Sequence, residues 1–276
     1  MSQPTPVATT WVNGRVADNL PVTDRGLAYG DGLFETLRAC RGTLPLQALH
    51  LARLQRGCAA LRIPFQAELI AAELNNAAAR VGDGGVKLIL TRGTGQRGYA
   101  MPVDATPSRV ISISPLPLYP SDRRDGVHLF ACTTRLADQP LLAGIKHLNR
   151  LEQVLARSEW QDPAFAEGLV CDQQGAVIEC TMSNLFARVA GQWVTPDLGR
   201  CGVQGVMREY LLAQLAERGQ PARVAPLSRD ALYQADEVFC CNSLIGVWPV
   251  VGLDDQVWQV GGETRLLQSL AEQVYL

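Results

Sequence analysis

Positive charge, histidine and long hydrophobic runs are all scarce in this chain of 276 residues. Lysine and arginine number 25 against 27 acidic residues, so the net charge is −2 and no basic footprint for nucleic acid or an anionic membrane exists. No run approaches the roughly 18 apolar residues of a membrane-spanning helix. The first twenty residues lack the apolar stretch of a secretory signal peptide. We therefore expect a small-molecule partner, no nucleic-acid or membrane partner, and a cytoplasmic location.

Metal-binding patterns are missing as well. The three histidines and the scattered cysteines form no cluster with ligand spacing, and no C-x-x-C pair occurs, so we expect no metal site and disfavour a metal hydrolase. Without a secretory leader, the cysteines are expected to be small buried thiols in a reducing compartment. They are Cys40, Cys58, Cys132, Cys171, Cys180, Cys201, Cys240 and Cys241.

What the chain does contain is an ordinary globular composition, with 47% hydrophobic and 19% charged residues. The segment "TTWVNGRVADNLPV" predicts two short strands around an Asn13-Gly14 turn. Leucines at helical spacing predict a helix in "LQALHLARLQRGCAALRI", which Pro64 stops, and a second helix is predicted from about Gln66 to Val81. Two apolar segments, "VKLILTRG" and "RVISISPL", then read as strands.

A proline-rich stretch follows these strands. "PLPLYPSDRRDG" has the composition of an extended linker, so we predict a domain at residues 1–117, a linker at 118–125 and a second domain at 126–276. Strands and helices interleave in both halves without a strict βαβ period. The sequence therefore predicts two α/β or α+β domains.

Lys146 is the first residue that could carry chemistry. In "AGIKHLNRLEQVLAR" it precedes an apolar stripe at helical spacing, made by Leu148, Leu151, Val154 and Leu155, which predicts that it stands at the start of a packed amphipathic helix. One hypothesis is a lysine whose ammonium group reaches water along its apolar stem. The other is a desolvated amine able to form a Schiff base with a carbonyl. The stretch alone leaves both open.

A carboxylate stands in an apolar strand pattern further along. In "GAVIECTMSNLFARV", Val177, Ile178 and Leu185 imply that Glu179 is buried, and a buried carboxylate needs a partner. That partner could be an arginine, or Glu179 could lie at a strand end facing water. A third possibility is a protonated heterocyclic nitrogen, such as that of pyridoxal phosphate.

Two segments could bind a phosphate. In "CGVQGVMREYLLAQL", glycines introduce a helix that begins near Val206, and the N–H groups at a helix start attract anions. Ser243 in "CCNSLIG" supplies a hydroxyl after a strand. Neither signal is specific alone. The glycines of "TDRGLAYGDGLFETLR" lack the G-x-G-x-x-G order, so we interpret this segment as a tight loop that leads into a strand.

Taken together, the motifs resemble the fold-type IV pyridoxal-phosphate enzymes, which include branched-chain and D-amino acid aminotransferases and aminodeoxychorismate lyases. The resemblance extends from "RGLAYGDGLFET" through "HLARL", "TRGTGQRGY", "GIKHLNRLEQVL", "IECTMSNLF" and "GVMRE" to "DEVFCCNSLIGVWPV". It implies a smaller N-terminal α/β domain, a larger C-terminal α/β domain with a pseudo-barrel sheet, pyridoxal 5'-phosphate as cofactor, and a homodimer whose site is completed by the other subunit.

The resemblance also assigns roles. It places the Schiff-base lysine at Lys146 and the glutamate that binds the pyridine nitrogen at Glu179. The phosphate arginine, in an H-x-x-R-L context, falls on Arg53. The other phosphate positions are Val206 and Met207 at the helix start and Ser243, which replaces a threonine of several relatives and keeps the hydroxyl.

Substrate positions follow from the same resemblance. Arg97 is kept where D-amino acid aminotransferases hold a carboxylate, and Tyr99 replaces their histidine, so we expect Arg97 to bind a carboxylate and Tyr99 to shape the pocket. Thr36 could relay a proton or orient Lys146, and Arg38, on the same strand face, is a weaker carboxylate candidate. The alternatives are a solvated loop charge for Arg97 and a hydroxyl bonded to backbone for Thr36.

"KHLNRLEQVLAR" and "RGTGQRGY" are more similar to the lyases than to the aminotransferases. The resemblance therefore implies conversion of 4-amino-4-deoxychorismate to 4-aminobenzoate and pyruvate, a step of folate synthesis, with Lys146 taking the C4 proton. The alternatives are an aminotransferase for D- or branched-chain amino acids, and a binding protein that keeps the fold without the chemistry.

Overall fold

A computed structural model describes residues 9–276, and the chain divides into two compact units. The first comprises the described residues up to Pro117 together with Ile145–Asn149, and the second comprises Leu118–Gly144 and Arg150–Leu276. The stretch expected to be a linker, residues 118–125, contains the 3-10 helix Ser121–Arg124. Within the second unit, Tyr119 packs edge-on against Trp248 with 4.9 Å between ring centroids.

The first unit is an antiparallel sheet with helices. Its described strands, in the spatial order β2-β1-β5-β4-β3, are β1 (Thr10–Val12), β2 (Arg15–Val16), β3 (Gly32–Ala39), β4 (Gly84–Thr91) and β5 (Ser108–Ser114). Its described helices are α1 (Arg25–Tyr29), α2 (Gln47–Leu61) and α3 (Ala67–Val81). The predicted hairpin and both predicted long helices are confirmed. Asn13 and Gly14 join β1 to β2 with φ of 51° and 79°.

Alternation along β3 builds the core of this unit. Leu33 and Leu37 are buried on one face of the strand, α2 packs against β3, and Leu54 and Cys58 are among the buried residues of that helix. Gly57 permits the close approach, since a Cβ at this position would lie 2.7 Å from Leu33 Cδ2. Each buried leucine stabilises the fold by about 1.5–3 kcal/mol.

The second unit is a mixed sheet with helices. Its described strands are β6 (Val127–Leu136), β7 (Phe165–Asp172), β8 (Val177–Cys180), β9 (Asn184–Val189), β10 (Gln192–Pro196), β11 (Arg223–Ala225), β12 (Glu237–Asn242), β13 (Gly246–Leu253) and β14 (Gln256–Val257). Its described helices are α4 (Leu151–Arg157), α5 (Val206–Glu217), α6 (Arg229–Tyr233) and α7 (Gly262–Gln273). The main strand order is β11-β10-β9-β12-β13-β6-β7-β8. The sheet curls, so that β8 at one end also contacts β9 and β10.

The segment that was predicted to be one strand, residues 175–189, forms two. These are β8 and β9, separated by a turn at residues 181–183.

Along residues 9–276, no helix combines the length and the apolar character needed to cross a membrane. The eight cysteines, all within the described part of the chain, are free thiols, and all but Cys40 are buried.

Candidate active site

Lys146 lies in an extended segment of the first unit, and the prediction that it stands at a helix start is wrong. The Phe34 N–H donates to the Lys146 carbonyl oxygen at 2.9 Å, and the Leu148 N–H donates to the Gly32 carbonyl at 3.0 Å. These bonds attach the segment to the edge of β3. Because its backbone is engaged there, α4 begins only at Leu151.

The apolar stripe of the predicted helix is also placed differently from the expectation. Leu151, Val154 and Leu155 are 76%, 61% and 59% exposed, so they do not pack α4 against the described part of the protein. The helix packs instead through Ala156, which is fully buried and whose carbonyl oxygen contacts Cys132 Sγ at 3.8 Å. The helical spacing is present, but the face that it marks points outward.

The amine of Lys146 lies over an aromatic ring. Its Nζ is 4.5 Å from the centroid of Phe34, and the residue is half-buried. Side chains of a strand alternate between faces, so Phe34, Thr36 and Arg38 share one face of β3. The amine of Lys146 therefore lies on the strand face that also carries Thr36 and Arg38, two residues that the resemblance assigns to the active site.

A buried ion cluster occupies the other face of β3. Glu35 is 2% exposed, and its Oε2 lies 2.7 Å from Nδ1 of His50. Arg53 donates from Nε to Glu35 Oε1 at 2.8 Å and from Nη2 to Oε2. His50 and Arg53 are three residues apart on α2 and therefore reach the same carboxylate from neighbouring positions on one helix face.

The electrostatics of this cluster are set by burial and pairing. Burial alone would raise the pKa of Glu35, but the charge and hydrogen bonds of Arg53, with a further bond from His50, lower it to about 2. Burial lowers the pKa of His50, although Glu35 opposes the effect. His50 is therefore neutral at pH 7 and donates from Nδ1 to an ionised Glu35.

Sequence reasoning selected Arg53 but missed Glu35 and His50. The structure pairs Arg53 with Glu35, and its role as a phosphate ligand stays a prediction. Two signals could have found the partners: Glu35 occupies the inward register of Leu33 and Leu37, and His50 is in the H-x-x-R motif itself.

Glu179 is held in the second unit. It is 5% exposed, as the strand pattern predicted, and its Oε2 accepts the Val203 N–H at 2.8 Å. The Val203 carbonyl in turn accepts from Asn184 Nδ2 at 2.8 Å. Gly144 joins the same loop, because its N–H donates to Gly202 and its carbonyl accepts from Gln204. The loop before α5 therefore fixes one carboxylate oxygen of Glu179.

The start of α5 presents buried backbone donors. Val206 and Met207 are buried in its first turn, and Gly205 at the N-cap has no side chain to accept from the first N–H groups. Ser243 is buried in the turn after β12, and its carbonyl accepts from the Tyr275 hydroxyl at 2.7 Å. Asn184, which bonds the loop before α5, pairs with Cys241, two residues before Ser243. The Glu179 loop and the two predicted phosphate positions thus share one neighbourhood of the second unit.

Glu167 supports this neighbourhood and was not found from the sequence. It is fully buried on β7 and accepts from the Met182 N–H at 3.0 Å, from Ser183 Oγ at 2.6 Å and from Thr181 Oγ1. Burial raises its pKa, although these donors oppose the rise. Glu167 therefore fixes the turn that leads from Glu179 to Asn184.

The two other predicted substrate residues are on a loop of the first unit. Arg97 is exposed and Tyr99 is 86% exposed, in the connection between β4 and β5. Arg25 donates to the Gly98 and Tyr99 carbonyls at 3.0 Å and 3.3 Å.

Across the part of the chain that the structure describes, no group of three or more His, Cys, Asp or Glu side chains could hold a metal ion.

Comparison with known protein families identifies the family to which this chain belongs. The family model for Amino-transferase class IV matches residues 32–253, most of the chain. The chain belongs to the class IV aminotransferase family. The family resemblance derived from the motifs is thereby confirmed.

Relatives within the class IV family refine the comparison. The chain is 39% identical over 264 residues to an aminodeoxychorismate lyase of Vibrio harveyi, covering 94% of this chain and 97% of that protein. It is 54% identical to the 4-amino-4-deoxychorismate lyase of Pseudomonas aeruginosa, whose crystal structure superposes with a TM-score of 0.94 over 96% of this chain and 98% of that one.

A more distant structure shares the fold. The branched-chain aminotransferase of the archaeon Thermoproteus uzoniensis, determined with norvaline, is 23% identical with a TM-score of 0.85, over 96% of this chain and 93% of that one. Together these likenesses confirm the predicted fold class, a mixed α/β protein of fold-type IV with a curled sheet.

Proposed function

We propose that this class IV protein is a pyridoxal-phosphate-dependent lyase that converts 4-amino-4-deoxychorismate to 4-aminobenzoate and pyruvate. The observation that carries the proposal is the 54% identity to a lyase structure over 96% of the chain. The aminotransferase alternative is supported by relatives of lower identity, 30% for a putative branched-chain-amino-acid aminotransferase and 28% for a D-alanine aminotransferase. The same proposal places the protein in folate synthesis and in the cytoplasm, which suits its eight free thiols.

The residues fit the cofactor in their chemistry. A primary amine forms an imine with a carbonyl group, and Lys146 supplies a half-buried one. A buried carboxylate such as Glu179 suits a protonated ring nitrogen. Buried N–H groups at an uncapped helix start and a nearby hydroxyl suit a phosphate, as at Val206, Met207 and Ser243. We propose that Arg53 adds a guanidinium to the phosphate contacts.

Each residue has a separate proposed role in the reaction. When bound, pyridoxal phosphate supplies an electron-withdrawing ring that accepts the electron pair left at the substrate carbon. Lys146 would hold the cofactor through its amine and would also be the general base that accepts the proton from substrate C4. The electron pair left at C4 would form a ring double bond as the neighbouring C–O bond breaks, which makes the substrate ring aromatic. The departing enolpyruvate would take up the proton from Lys146 and tautomerise to pyruvate. We propose that Thr36 orients Lys146, and that Arg97, Arg38 and Tyr99 bind and enclose the substrate carboxylates.

A product assay tests the function. Purified protein mixed with 4-amino-4-deoxychorismate should release 4-aminobenzoate and pyruvate in equal amounts. The same protein given a D- or L-amino acid with 2-oxoglutarate should give little transamination. If it transfers amino groups between these compounds and releases no 4-aminobenzoate, the lyase proposal is wrong and the aminotransferase alternative is correct.

Glu179 gives a prediction about the cofactor ring. In Glu179→Gln, a neutral amide replaces the carboxylate that would stabilise a protonated ring nitrogen, so turnover should fall by about 10²-fold or more while the cofactor stays bound. Steady-state kinetics and the visible spectrum of the bound cofactor measure the two effects. Glu159→Gln is the control, because Glu159 accepts from the Thr133 and Thr134 N–H groups of the same unit and has no proposed contact with the cofactor. Equal losses in both variants would contradict the role of Glu179.

We propose a homodimer as the active assembly. The exposed Leu151, Val154 and Leu155 of α4 support a contact with another protein surface, since apolar side chains clustered on one short helix are costly in water. Sedimentation velocity should give twice the mass of one 29.9 kDa chain. Val154→Glu combined with Leu155→Glu should shift the population towards single chains if this face is in the contact.

A further inference from the structure

A buried arginine contacts the backbone of the loop that carries Arg97 and Tyr99. We define the 94–101 loop as residues 94–101, between β4 and β5. Arg25 is 4% exposed at the start of α1, and its Nη1 and Nη2 donate to the carbonyls of Gly98 and Tyr99 at 3.0 Å and 3.3 Å. A guanidinium that is buried and aimed at two consecutive carbonyls restricts the conformation of both residues.

The guanidinium is itself fixed from the opposite side. Its Nε donates to Asp31 Oδ2 at 2.9 Å, and Arg92 donates to both oxygens of Asp31, at 2.7 Å from Nε and 2.9 Å from Nη2. Burial alone would raise the pKa of Asp31, but bonds and charge from Arg92 and Arg25 lower it, so Asp31 remains ionised. Arg92 is held in turn by the carbonyls of Leu61 and Arg62. The network thus connects the loop to the end of α2.

Further contacts hold the same loop. The Tyr29 hydroxyl accepts the Gly98 N–H at 3.1 Å, and the rings of Tyr29 and Tyr99 lie 5.4 Å apart. The Arg25 guanidinium lies 4.8 Å from the centroid of the Tyr29 ring. Gly95 permits the approach, because a Cβ there would lie 2.9 Å from Arg25 Cδ. The side chains of Arg97 and Tyr99 are exposed on a backbone that is fixed from beneath.

From this geometry we infer that Arg25 is a positioning residue that presents Arg97 and Tyr99 to the substrate carboxylates, with Tyr29 as its auxiliary. Loops of exposed residues ordinarily sample several conformations, and binding a carboxylate then carries an ordering cost. A loop held in one conformation avoids that cost. The inference rests on the proposed function for the identity of the substrate, but not for the conformation of the loop.

Two measurements on Arg25→Lys test it in the full-length protein. Lysine keeps a charge for Asp31 but cannot bond two carbonyls and a carboxylate in one plane. We expect the KM for 4-amino-4-deoxychorismate to rise about ten- to a hundredfold while kcat changes less than about threefold, because misplacement of a binding group by about 1 Å has effects of this size. Amide hydrogen exchange without substrate should quicken at Gly95 and Gly98 but not in β4 or β5.

Two other variants make the result specific. Tyr29→Phe removes only the hydroxyl that accepts the Gly98 N–H and should give a smaller rise in KM with the same exchange pattern. Arg109→Lys is the control, since Arg109 on β5 pairs with Glu73 and does not contact the loop; its KM should equal that of the wild type.

The outcomes separate the two proposals. Unchanged exchange in the 94–101 loop of Arg25→Lys would overturn the inference, and so would faster exchange throughout the first unit, which indicates a purely structural role. A loss confined to kcat would overturn it too. If the wild-type protein forms no 4-aminobenzoate, the proposed function fails, while the exchange measurement still decides whether Arg25 holds the loop.

Discussion

Lys146→Ala should abolish the formation of 4-aminobenzoate and remove the visible absorption of the bound cofactor. The amine is assigned both the covalent attachment of the cofactor and the abstraction of the substrate proton, and a positioned general base alone contributes about 10²–10⁴-fold to a rate. We therefore expect turnover to fall at least about 10³-fold. The fold should persist, because the backbone of Lys146, which the substitution keeps, makes the bond to Phe34.

The chain provides an unusually close control for this experiment. It contains two lysines, Lys87 and Lys146. Lys87 is exposed on β4, opposite Thr36, and its Nζ is 5.7 Å from the centroid of the same Phe34 ring. Lys87→Ala should keep wild-type turnover and absorption. Should Lys146→Ala retain either property while Lys87→Ala loses it, the assignment of the cofactor lysine must be exchanged.

Glu35→Gln should lower the free energy of unfolding by about 3–5 kcal/mol at pH 7. The carboxylate is buried between His50 and Arg53, and the substitution removes the negative charge that pairs with the buried Arg53 guanidinium. Chemical denaturation followed by circular dichroism measures the change. Glu73→Gln is the matched control, because Glu73 pairs with Arg109 in the same unit but is less buried, so its loss should be about 1 kcal/mol or less.

The same residue predicts a pH dependence. The pKa of Glu35 is lowered from 4.5 to about 2 in the folded protein. Its contribution to stability is therefore complete above pH 4.5, amounts to about 3 kcal/mol, and is lost as the pH falls from 4.5 towards 2. The difference between wild type and Glu35→Gln should shrink across this window. A difference that stays constant from about pH 7 to about pH 2 would show that Glu35 stabilises by packing rather than by charge.

Local patterns predicted the elements whose causes are local. The Asn13-Gly14 hairpin, α2 and α3 follow from turn chemistry and apolar spacing within a few residues, and the structure contains them. Glu179 was predicted to be buried because its neighbours on the strand are apolar, and it is. Motifs spread along the chain predicted the family and the fold, which the similarity to known structures confirms.

What the sequence could not predict depends on contacts between distant residues. The spacing of Leu148, Leu151 and Val154 fits a helix, but β3, distant in sequence, holds the backbone of residues 146–148 in an extended form. Glu35 meets Arg53 across 18 positions, and Glu167 meets Ser183 across 16. No periodicity within one segment encodes such pairs. The roles carried over by resemblance, including those of Arg97 and Ser243, remain predictions for experiment.

The short segment Ile145–Asn149 has a consequence for the modularity of the protein. It packs with the first unit, while the chain before and after it belongs to the second. A gene fragment that ended at Pro117 would therefore lack Lys146 and would expose the N–H of Phe34 and the carbonyl of Gly32 along the β3 edge. A first unit transplanted into another protein would therefore have to carry Ile145–Asn149 with it, although this segment is far from the rest of the unit in sequence.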